Sequence, residues 1–435
     1  MLTLNDWSAL TPAEQDRLLE RPAQADAPAL EAAVAAIVAA VRARGDAALA
    51  DYTRRFDGVA PATLAVGAAE FAAAEAALPP AAHAALDCAI GNVRRFHEAQ
   101  RSPPLSIDTA PGVRCERLEV PLAAVGLYVP AGSAPLPSAA IMCAVPAALA
   151  GCPTRVLCTP PRRDGGADPA VLVAARRCGV TQVFKVGGAQ AIAAMAYGTA
   201  TIPKVDKICG PGNAYVTAAK LMVARDPAGA ALDLPAGPSE VLVIADDSAR
   251  AAFVAADLLA QAEHDPAAQV LLVTTSRPLA TAVVAEVERQ QATLSRRAIT
   301  ARALAASRVI VVADLDTAFA VSNRYAPEHL ILEIEAPRAW LGRVTAAGSV
   351  FLGHWSPESI GDYCSGTNHV LPTYGYARAF SGLSLRDFVK HITVQELTPA
   401  GLASLGPVAV TLAGLEGLDG HAAAVTRRLA ALPPP

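Results

Sequence analysis

Four short polar clusters, each containing at least one of the chain's eight histidines, stand out from an alanine-rich background. They lie at residues 261–264, 328–329, 362–369 and 416–421. Together they offer nitrogen and oxygen ligands for one borderline metal ion, and they leave a carboxylate and an imidazole for acid–base work. This combination of residue types indicates an enzyme.

The first cluster offers two ligands on one helix. Gln261 and His264 are three residues apart in a helix predicted at 250–263 or in its final turn, so both lie on one face. Taken singly, this pair is better explained as the polar end of a surface helix. Two further clusters add ligands without a thiolate, and the combined set suits Zn²⁺, with Mn²⁺ or Co²⁺ also compatible. The four predicted ligands are Gln261, His264, Asp362 and His421.

Glu328 and His329 are adjacent, and an extended chain would send their side chains in different directions. They reach one substrate only if the chain bends at Pro327, and a solvated loop before a strand is the alternative. The predicted strand 330–334 begins after the pair, whereas sites in open α/β sheets usually lie at the carboxyl ends of strands. Asp362 and His369 share one short polar loop, which also allows a plain surface loop.

Composition excludes several classes of protein. A chain of 435 residues should form at least two cores. The net charge of −4, with interspersed signs, argues against a nucleic-acid partner. The most apolar segment, 139–150, is interrupted by Pro146 and is too short to span a membrane. We find no secretory h-region near the N-terminus and no CxxC pair, so we expect a cytoplasmic protein with reduced thiols.

The elements that must position these residues alternate between strand and helix. Helical patterns fill the first hundred residues, and two later runs of alternation predict two Rossmann-like, mainly parallel α/β units. No strand is predicted after residue 383, where short helices form a tail. The predicted division is an N-terminal helical arm at 1–25, a first α/β domain at 26–108 and 239–382, a second at 109–238, and a helical tail at 383–435. The predicted strands are 124–129, 155–158, 182–186, 207–209, 240–244, 270–274, 309–312, 330–334 and 349–352.

No dinucleotide fingerprint of the G-x-G-x-x-G type follows any predicted strand. Residues 186–190 and 210–213 are the nearest substitutes, because each follows a strand and opens a helix. Tight glycine turns are the ordinary explanation for both. A nucleophilic thiolate at Cys115, Cys143 or Cys152 is a further hypothesis, but a small buried apolar side chain is the better interpretation of each.

The order and spacing of several motifs resemble the histidinol dehydrogenase family over the whole chain. The matching segments are VGLYVPAG at 125–132, VGGAQAIA at 186–193, GPGN at 210–213, AGPSE at 236–240, QAEH at 261–264, APEH at 326–329 and GDYCSGTNH at 361–369. The resemblance implies a homodimeric enzyme with one zinc per subunit that completes histidine biosynthesis. Such an enzyme oxidises L-histidinol to L-histidine through histidinal with two NAD⁺, and its cofactor site lacks the usual fingerprint.

The resemblance also implies roles for single residues. The implied zinc ligands are Gln261, His264, Asp362 and His421, and the implied acid–base pair is Glu328 and His329. The implied cofactor contacts are Tyr128, Gln190 and Asn213. The implied substrate contacts are Ser239, Gln261, His264, His329, Asp362, His369, Glu416 and His421. In the family the tail crosses to the partner subunit, so that Glu416 and His421 complete the neighbour's site.

Two other functions stay open at this point. A relative on the same scaffold could oxidise another small alcohol, such as a sulfonated diol, although Glu416 and His421 favour histidinol. Alternatively, the chain could be a zinc hydrolase or a non-catalytic metal protein, in which Glu328 merely activates water. The residues in cofactor-like positions, Tyr128, Gln190 and Asn213, argue against this second alternative.

Overall fold

The computed structural model describes residues 2–22, 27–131, 134–235 and 237–433. Gly132 and Ala236 of the matched motifs, and the predicted boundary at 25/26, lie outside these residues. Two compact units emerge, which we call the body and the tail unit. The body comprises Met1–Gln100 and Leu122–Phe388, and the tail unit comprises Arg101–Pro121 and Val389–Pro435.

The strands are β1 (Thr3–Asp6), β2 (Leu105–Ala110), β3 (Val113–Pro121), β4 (Ala124–Tyr128), β5 (Thr154–Thr159), β6 (Gln182–Lys185), β7 (Lys207–Cys209), β8 (Ala231–Leu232), β9 (Glu240–Ala245), β10 (Gln269–Thr274), β11 (Arg308–Val311), β12 (His329–Glu333), β13 (Ser349–Leu352) and β14 (Val389–Leu397). The helices before residue 200 are α1 (Pro12–Leu18), α2 (Ala27–Arg44), α3 (Asp46–Phe56), α4 (Ala68–Ala77), α5 (Pro80–Glu98), α6 (Pro137–Ala150), α7 (Pro169–Arg177) and α8 (Gly188–Tyr197). The later helices are α9 (Ala214–Ala224), α10 (Ala251–Ala262), α11 (Arg277–Gln291), α12 (Arg297–Ala305), α13 (Leu315–Tyr325), α14 (Pro337–Trp340), α15 (Glu358–Tyr363), α16 (Pro399–Leu415) and α17 (Asp419–Ala430).

Two parallel sheets form the body. The six-stranded sheet has the order β1-β11-β10-β9-β12-β13, and the five-stranded sheet has the order β6-β5-β4-β7-β8. Without the edge strand β1, both follow the chain in the order third, second, first, fourth, fifth. The first and fourth strands of each are therefore neighbours at a topological switch point, as in Rossmann folds. The prediction of two Rossmann-like, mainly parallel units with helical ends is confirmed.

The central strands form because their sequences are nearly continuous apolar runs. All six residues of β9 and all six of β10 are buried, as expected for parallel strands covered on both faces. Helices α2 to α5 share their core with the five-stranded sheet, where Val34 packs in one cluster with Val156, and Val93 packs in another with Leu127. The predicted first domain, which joins residues 26–108 to 239–382, stays a prediction.

The first strand was not predicted, because its four residues carry no alternation. β1 pairs in parallel with β11, and Thr3 lies opposite Arg308. This pairing adds the N-terminal arm to the edge of the six-stranded sheet.

The tail unit contains a three-stranded antiparallel sheet in the order β14-β3-β2, followed by α16 and α17. The prediction that no strand follows residue 383 was therefore wrong, since β14 pairs with β3 over nine residues. Its sequence carries Lys390, His391 and Glu396 and is mostly exposed, so hydrophobic alternation could not reveal it. The backbone pairing with β3, which is far away in sequence, supplies the missing stabilisation.

No helix within the described ranges has the length and apolar character needed to cross a lipid bilayer.

Candidate active site

The polar clusters of the body meet at the amino ends of β9 and β12, the two neighbouring strands at the switch point of the six-stranded sheet. Glu240 begins β9 and His329 begins β12, and His329 pairs in register with Val241. Glu328 therefore immediately precedes β12, and His329 is the first residue of this strand. Sites in open α/β sheets usually lie at the carboxyl ends of the strands. In this sheet the polar side chains lie at the amino ends of β9 and β12.

A sharp bend ahead of β12 brings the side chains of Glu328 and His329 together. Helix α13 ends at Tyr325, and Ala326 adopts a left-handed conformation with φ of 56°. Glu328 Oε2 then lies 3.5 Å from His329 Nδ1, and the two side chains are only 7% and 4% exposed. The bend that was predicted at Pro327 lies at Ala326, immediately before it.

The backbone of Glu240 holds both members of this pair. Its N–H donates to Glu328 Oε2 at 2.8 Å, and its carbonyl oxygen lies 3.0 Å from His329 Nδ1. Because a carbonyl only accepts, Nδ1 donates to Glu240 in the tautomer that carries its proton there, and in that tautomer Nε2 keeps a lone pair. His329 Nε2 lies 3.5 Å from Asp362 Oδ1 and has no hydrogen bond of ordinary length in the described residues.

Three residues beside this pair can hold a metal ion. His264, Glu358 and Asp362 each offer one ligand atom, and these atoms lie within 4.8 Å of one another. His264 follows the end of α10 and is exposed, whereas Glu358 and Asp362 lie one turn apart on α15. The nitrogen and oxygen donors, without a thiolate, fit Zn²⁺.

Glu358 is a residue that the sequence analysis missed. Its spacing of four from Asp362 places two carboxylates on one helical face, and this spacing was the available signal. In the amide orientation that satisfies both its oxygen and its nitrogen, Gln261 donates through the nitrogen to the two Glu358 oxygens at 2.8 and 3.0 Å. In this orientation the Gln261 amide oxygen is turned away from Glu358.

Charge at the site is strongly coupled. Burial lowers the pKa of His329, but the carboxylates of Glu328, Glu358 and Asp362 outweigh burial and raise this pKa well above its ordinary value. Burial raises the pKa of Glu328 to about 8, although His329 opposes the shift. Burial also raises the pKa of Glu358. The site therefore concentrates proton-accepting groups around one imidazole and attracts a cation.

Two further predicted residues lie in the body. His369 is half-buried, burial lowers the pKa of its ring, and no described residue forms a hydrogen bond with its Nε2. Its loop is tethered by Asn368, whose side-chain nitrogen donates to the Met142 carbonyl at 2.8 Å. Ser239 is partly buried and immediately precedes Glu240, and its carbonyl accepts from the Gln269 N–H at 3.2 Å.

The predicted residues Glu416 and His421 belong to the tail unit. Glu416 follows α16, His421 lies in the first turn of α17, and both are exposed. The metal-binding cluster found among the described residues consists of body residues alone.

The three predicted cofactor residues lie at or after the carboxyl ends of strands in the five-stranded sheet. Tyr128 ends β4, Gln190 lies in the first turn of α8, and Asn213 caps α9 through its amide oxygen, 3.1 Å from the Val216 nitrogen. They occupy the carboxyl side of the five-stranded sheet, whose switch point lies between β4 and β7. The Gln190 side-chain oxygen is buried and accepts no hydrogen bond from the described residues.

Close backbone approach explains one glycine in this region. Gly210 has φ of 120°, and a Cβ there would lie 2.2 Å from the Tyr128 carbonyl oxygen. Any other residue at 210 would displace the end of β4.

The cysteine hypothesis gains no support from the environment of the thiols. Cys143 and Cys152 are buried, and burial raises the pKa of Cys152 to about 11. Cys115 lies in the antiparallel sheet of the tail unit. A thiolate is therefore disfavoured at both buried positions.

Comparisons with known proteins agree over almost the whole chain. The family model described as histidinol dehydrogenase matches residues 19–429. Histidinol dehydrogenase of Xanthomonas axonopodis pv. citri (strain 306) is 59% identical over 424 residues, which cover 98% of each chain. That of Xylella fastidiosa (strain 9a5c) is 58% identical over 98% of this chain and 99% of the relative. The crystal structure of histidinol dehydrogenase from Elizabethkingia anophelis matches with a TM-score of 0.95 and 44% identity, covering 99% of this chain and 98% of that chain.

The metal cluster predicts a measurable affinity for Zn²⁺. We expect His264→Asn to weaken zinc binding at least about tenfold, because one imidazole ligand is lost. Binding to the unmutated protein should also weaken as the pH falls, since protons compete for the ligands. Competition with a chromogenic chelator measures both effects. His354→Asn is the matched control, because His354 contacts Glu333 outside the cluster, and an equal loss there would contradict the assignment.

Proposed function

Because the chain belongs to the histidinol dehydrogenase family, we propose that it oxidises L-histidinol to L-histidine through histidinal, with two NAD⁺ as hydride acceptors. These are the last steps of histidine biosynthesis. The observation that carries the proposal is the buried pair of Glu328 and His329 beside a nitrogen and oxygen metal cluster. Two successive oxidations in one pocket need two proton acceptors, and this pair supplies them. The cytoplasmic location stays a prediction.

The residues that would hold one zinc ion per subunit are Gln261, His264, Asp362 and the partner subunit's His421. When bound, zinc supplies a Lewis acid and a fixed attachment point for the amine and imidazole nitrogen of histidinol. Glu358 holds the Gln261 side-chain nitrogen, which leaves the Gln261 oxygen for the metal. Ser239, His369 and Glu416 are proposed as further substrate contacts, and the unpartnered His369 Nε2 is suited to a polar substrate group.

The first oxidation uses His329 as the base. Nδ1 donates to the Glu240 carbonyl, so Nε2 takes the hydroxyl proton of histidinol while a hydride leaves the carbinol carbon for NAD⁺. The products of this step are histidinal, NADH and one proton. The surrounding carboxylates stabilise the imidazolium that forms.

The second oxidation uses Glu328. Its carboxylate removes a proton from water as the water adds to the aldehyde carbon, which gives the anion of the hydrated aldehyde. A second hydride then passes from this anion to the second NAD⁺, the carboxylic acid forms, and Glu328 releases the proton it took from water. Tyr128, Gln190 and Asn213 are the proposed NAD⁺ contacts at the carboxyl edge of the five-stranded sheet.

The direct test adds histidinol and NAD⁺ to the purified protein and follows the absorbance of NADH and the formation of histidine. We expect two NADH for each histidine, loss of activity after chelation, and recovery with Zn²⁺. A sulfonated diol serves as the control substrate. Turnover of the diol without turnover of histidinol would refute the proposed substrate, and full activity in protein that elemental analysis shows to be metal-free would refute the zinc requirement.

Substitution of each proposed base should impair a different one of the two oxidations. His329→Asn should fail mainly with histidinol, whereas Glu328→Gln should still form some aldehyde and should oxidise added histidinal poorly. Each loss should be about 100- to 10,000-fold, the usual scale for a positioned base. Since burial raises the Glu328 pKa to about 8, its carboxyl is protonated below that pH. Histidinal oxidation should therefore rise with pH through about 8, and Glu328→Gln should abolish this rise. Equal, small losses with both substrates in both variants would contradict the assignment.

We also propose that the enzyme is a homodimer in which each tail unit serves the partner's site. Glu416 and His421 are exposed, although the family resemblance makes them substrate and zinc contacts. Apolar side chains of α16 are exposed as well, with Leu412 at 55% and Leu415 at 80%. Exposed leucines on a helix favour association with another surface.

Subunit mixing tests the tail exchange. Glu328→Gln and His421→Asn should each fail to form histidine, and the two variants are dissociated, mixed and reassociated. If the tails cross, one site of each heterodimer combines both lesions and the other has neither, so about half of the heterodimer sites regain activity. Mass spectrometry must confirm heterodimers. Glu328→Gln mixed with His329→Asn is the control, because two body lesions cannot complement. Confirmed heterodimers without recovery would mean that each tail serves its own chain.

A further inference from the structure

Glu240 is linked to the acid–base pair through its backbone and to the N-terminal arm through its side chain. The backbone N–H and carbonyl of this residue bind Glu328 and His329, which lie 88 and 89 positions later in sequence. The orientation of the pair therefore depends on where Glu240 sits.

The side chain of Glu240 is buried, and its carboxylate is paired with Arg21. The Glu240 residue is 1% exposed, and Arg21 donates to its carboxylate from Nε and, at 3.0 Å, from Nη2. The Tyr374 N–H donates to the same carboxylate at 2.8 Å. A bidentate arginine pair of this kind fixes direction as well as charge.

Arg21 also holds the chain that leads into Glu328. Its Nη2 donates to the Tyr325 carbonyl at 2.8 Å and to the Ala326 carbonyl at 3.3 Å, and its guanidinium lies 4.0 Å from the centre of the Tyr325 ring. One side chain thus contacts both segments that carry the site: the start of β9 and the bend before β12.

Backbone strain is concentrated around the same contacts. Among the described residues, three that are not glycine have a left-handed φ, and two of them, Ala326 and Tyr374, touch Arg21 or Glu240. Such conformations persist only where the surroundings enforce them, and they cluster at functional sites.

We infer that Arg21 and Glu240 are positioning residues that hold Glu328 and His329 in their reactive orientation. Arg21 acts through Glu240 and through the bend at Ala326 and touches neither base. The inference rests on the proposed function, since it concerns the bases of that reaction. Arg21 lies outside every motif and 219 residues before Glu240, so sequence alone could not reveal the pair.

The test compares Arg21→Met, Arg21→Lys and Glu240→Gln with the unmutated enzyme, all loaded with zinc. Arg21→Met should lower kcat about 10- to 100-fold for histidinol and for histidinal, which is part of the contribution of a positioned base. The KM for histidinol and the zinc affinity should change less than about twofold, because no proposed ligand is altered. Arg21→Lys should recover part of kcat, and Glu240→Gln should lower kcat while it retains both backbone hydrogen bonds. An Arg21→Met variant that folds and keeps kcat within about twofold would overturn the inference, as would a kcat loss that merely follows zinc loss.

Arg324→Met is the matched control. Arg324 also holds the N-terminal arm, through Asp16 and Gln15, but it has no side-chain contact with Glu240 in the described residues. Its loss should leave kcat unchanged if Arg21 acts by positioning and not merely by docking the arm. Circular dichroism excludes unfolding, and if Arg21→Met does not fold, Glu240→Gln and Arg21→Lys decide.

A spectroscopic readout separates this inference from the proposed function. In protein labelled with ¹⁵N-histidine, the ring signals of His329 are identified by their absence in His329→Asn. Arg21→Met should shift these signals, and Arg324→Met should not. If the unmutated protein fails to oxidise histidinol but Arg21→Met still shifts the His329 signals, the proposed function is overturned and the positioning of His329 is retained. Unshifted signals in an active enzyme would overturn only the inference.

Discussion

Buried negative charge is the constraint on which the rest of this site depends. Glu240, Glu328 and Glu358 are each at most 5% exposed. Asp362 Oδ1 lies 3.5 Å from Nε2 of the His329 imidazole, and Glu328 lies at the same distance from Nδ1 of that ring. Carboxylates removed from water are costly unless cations or donors compensate them. The Arg21 guanidinium compensates the charge of the Glu240 carboxylate, and the backbone N–H of Glu240 donates to the carboxylate of Glu328. The His329 imidazole lies beside the carboxylates of Glu328 and Asp362. The metal ion proposed at His264 and Asp362 would complete the same balance, so one electrostatic requirement accounts for the residue types around the cluster.

The two sheets use the same strand order for different purposes. In the five-stranded sheet the proposed cofactor residues lie at the carboxyl ends of strands, beside the switch point, where helix starts and tight turns expose backbone N–H groups. In the six-stranded sheet the acid–base pair lies at the amino ends of β9 and β12. The unit with the five-stranded sheet thus offers carboxyl strand ends, which suit a dinucleotide. The unit with the six-stranded sheet offers buried side chains at the amino ends of two strands.

The sequence predicted the central strands and the family because both leave local signals. Continuous apolar runs located β9, β10 and β12 to within one residue at each end, and the motifs around 261–264 and 326–329 stood together in order. Strand β14 was missed because its stability comes from pairing with β3 and not from its own composition. Arg21 and Glu358 were missed for the same physical reason. Their importance lies in what the fold brings beside them. Arg21 carries no local pattern that differs from an ordinary surface charge, and Glu358 carries only its spacing of four from Asp362.

The backbone hydrogen bonds of Glu240 have a consequence for how this site can evolve. A contact made through N–H and C=O survives any substitution that leaves the strand in place, so a change of side chain at position 240 acts on the bases through the lost pairing with Arg21 and not through these two hydrogen bonds. A slip in register is different. Moving β9 by one residue against β12 would put another residue's backbone beside Glu328 and would turn every side chain of the strand to the opposite face. The alignment of the bases is therefore inherited with the register of the sheet, and the apolar packing that fixes this register is under selection for activity as well as stability.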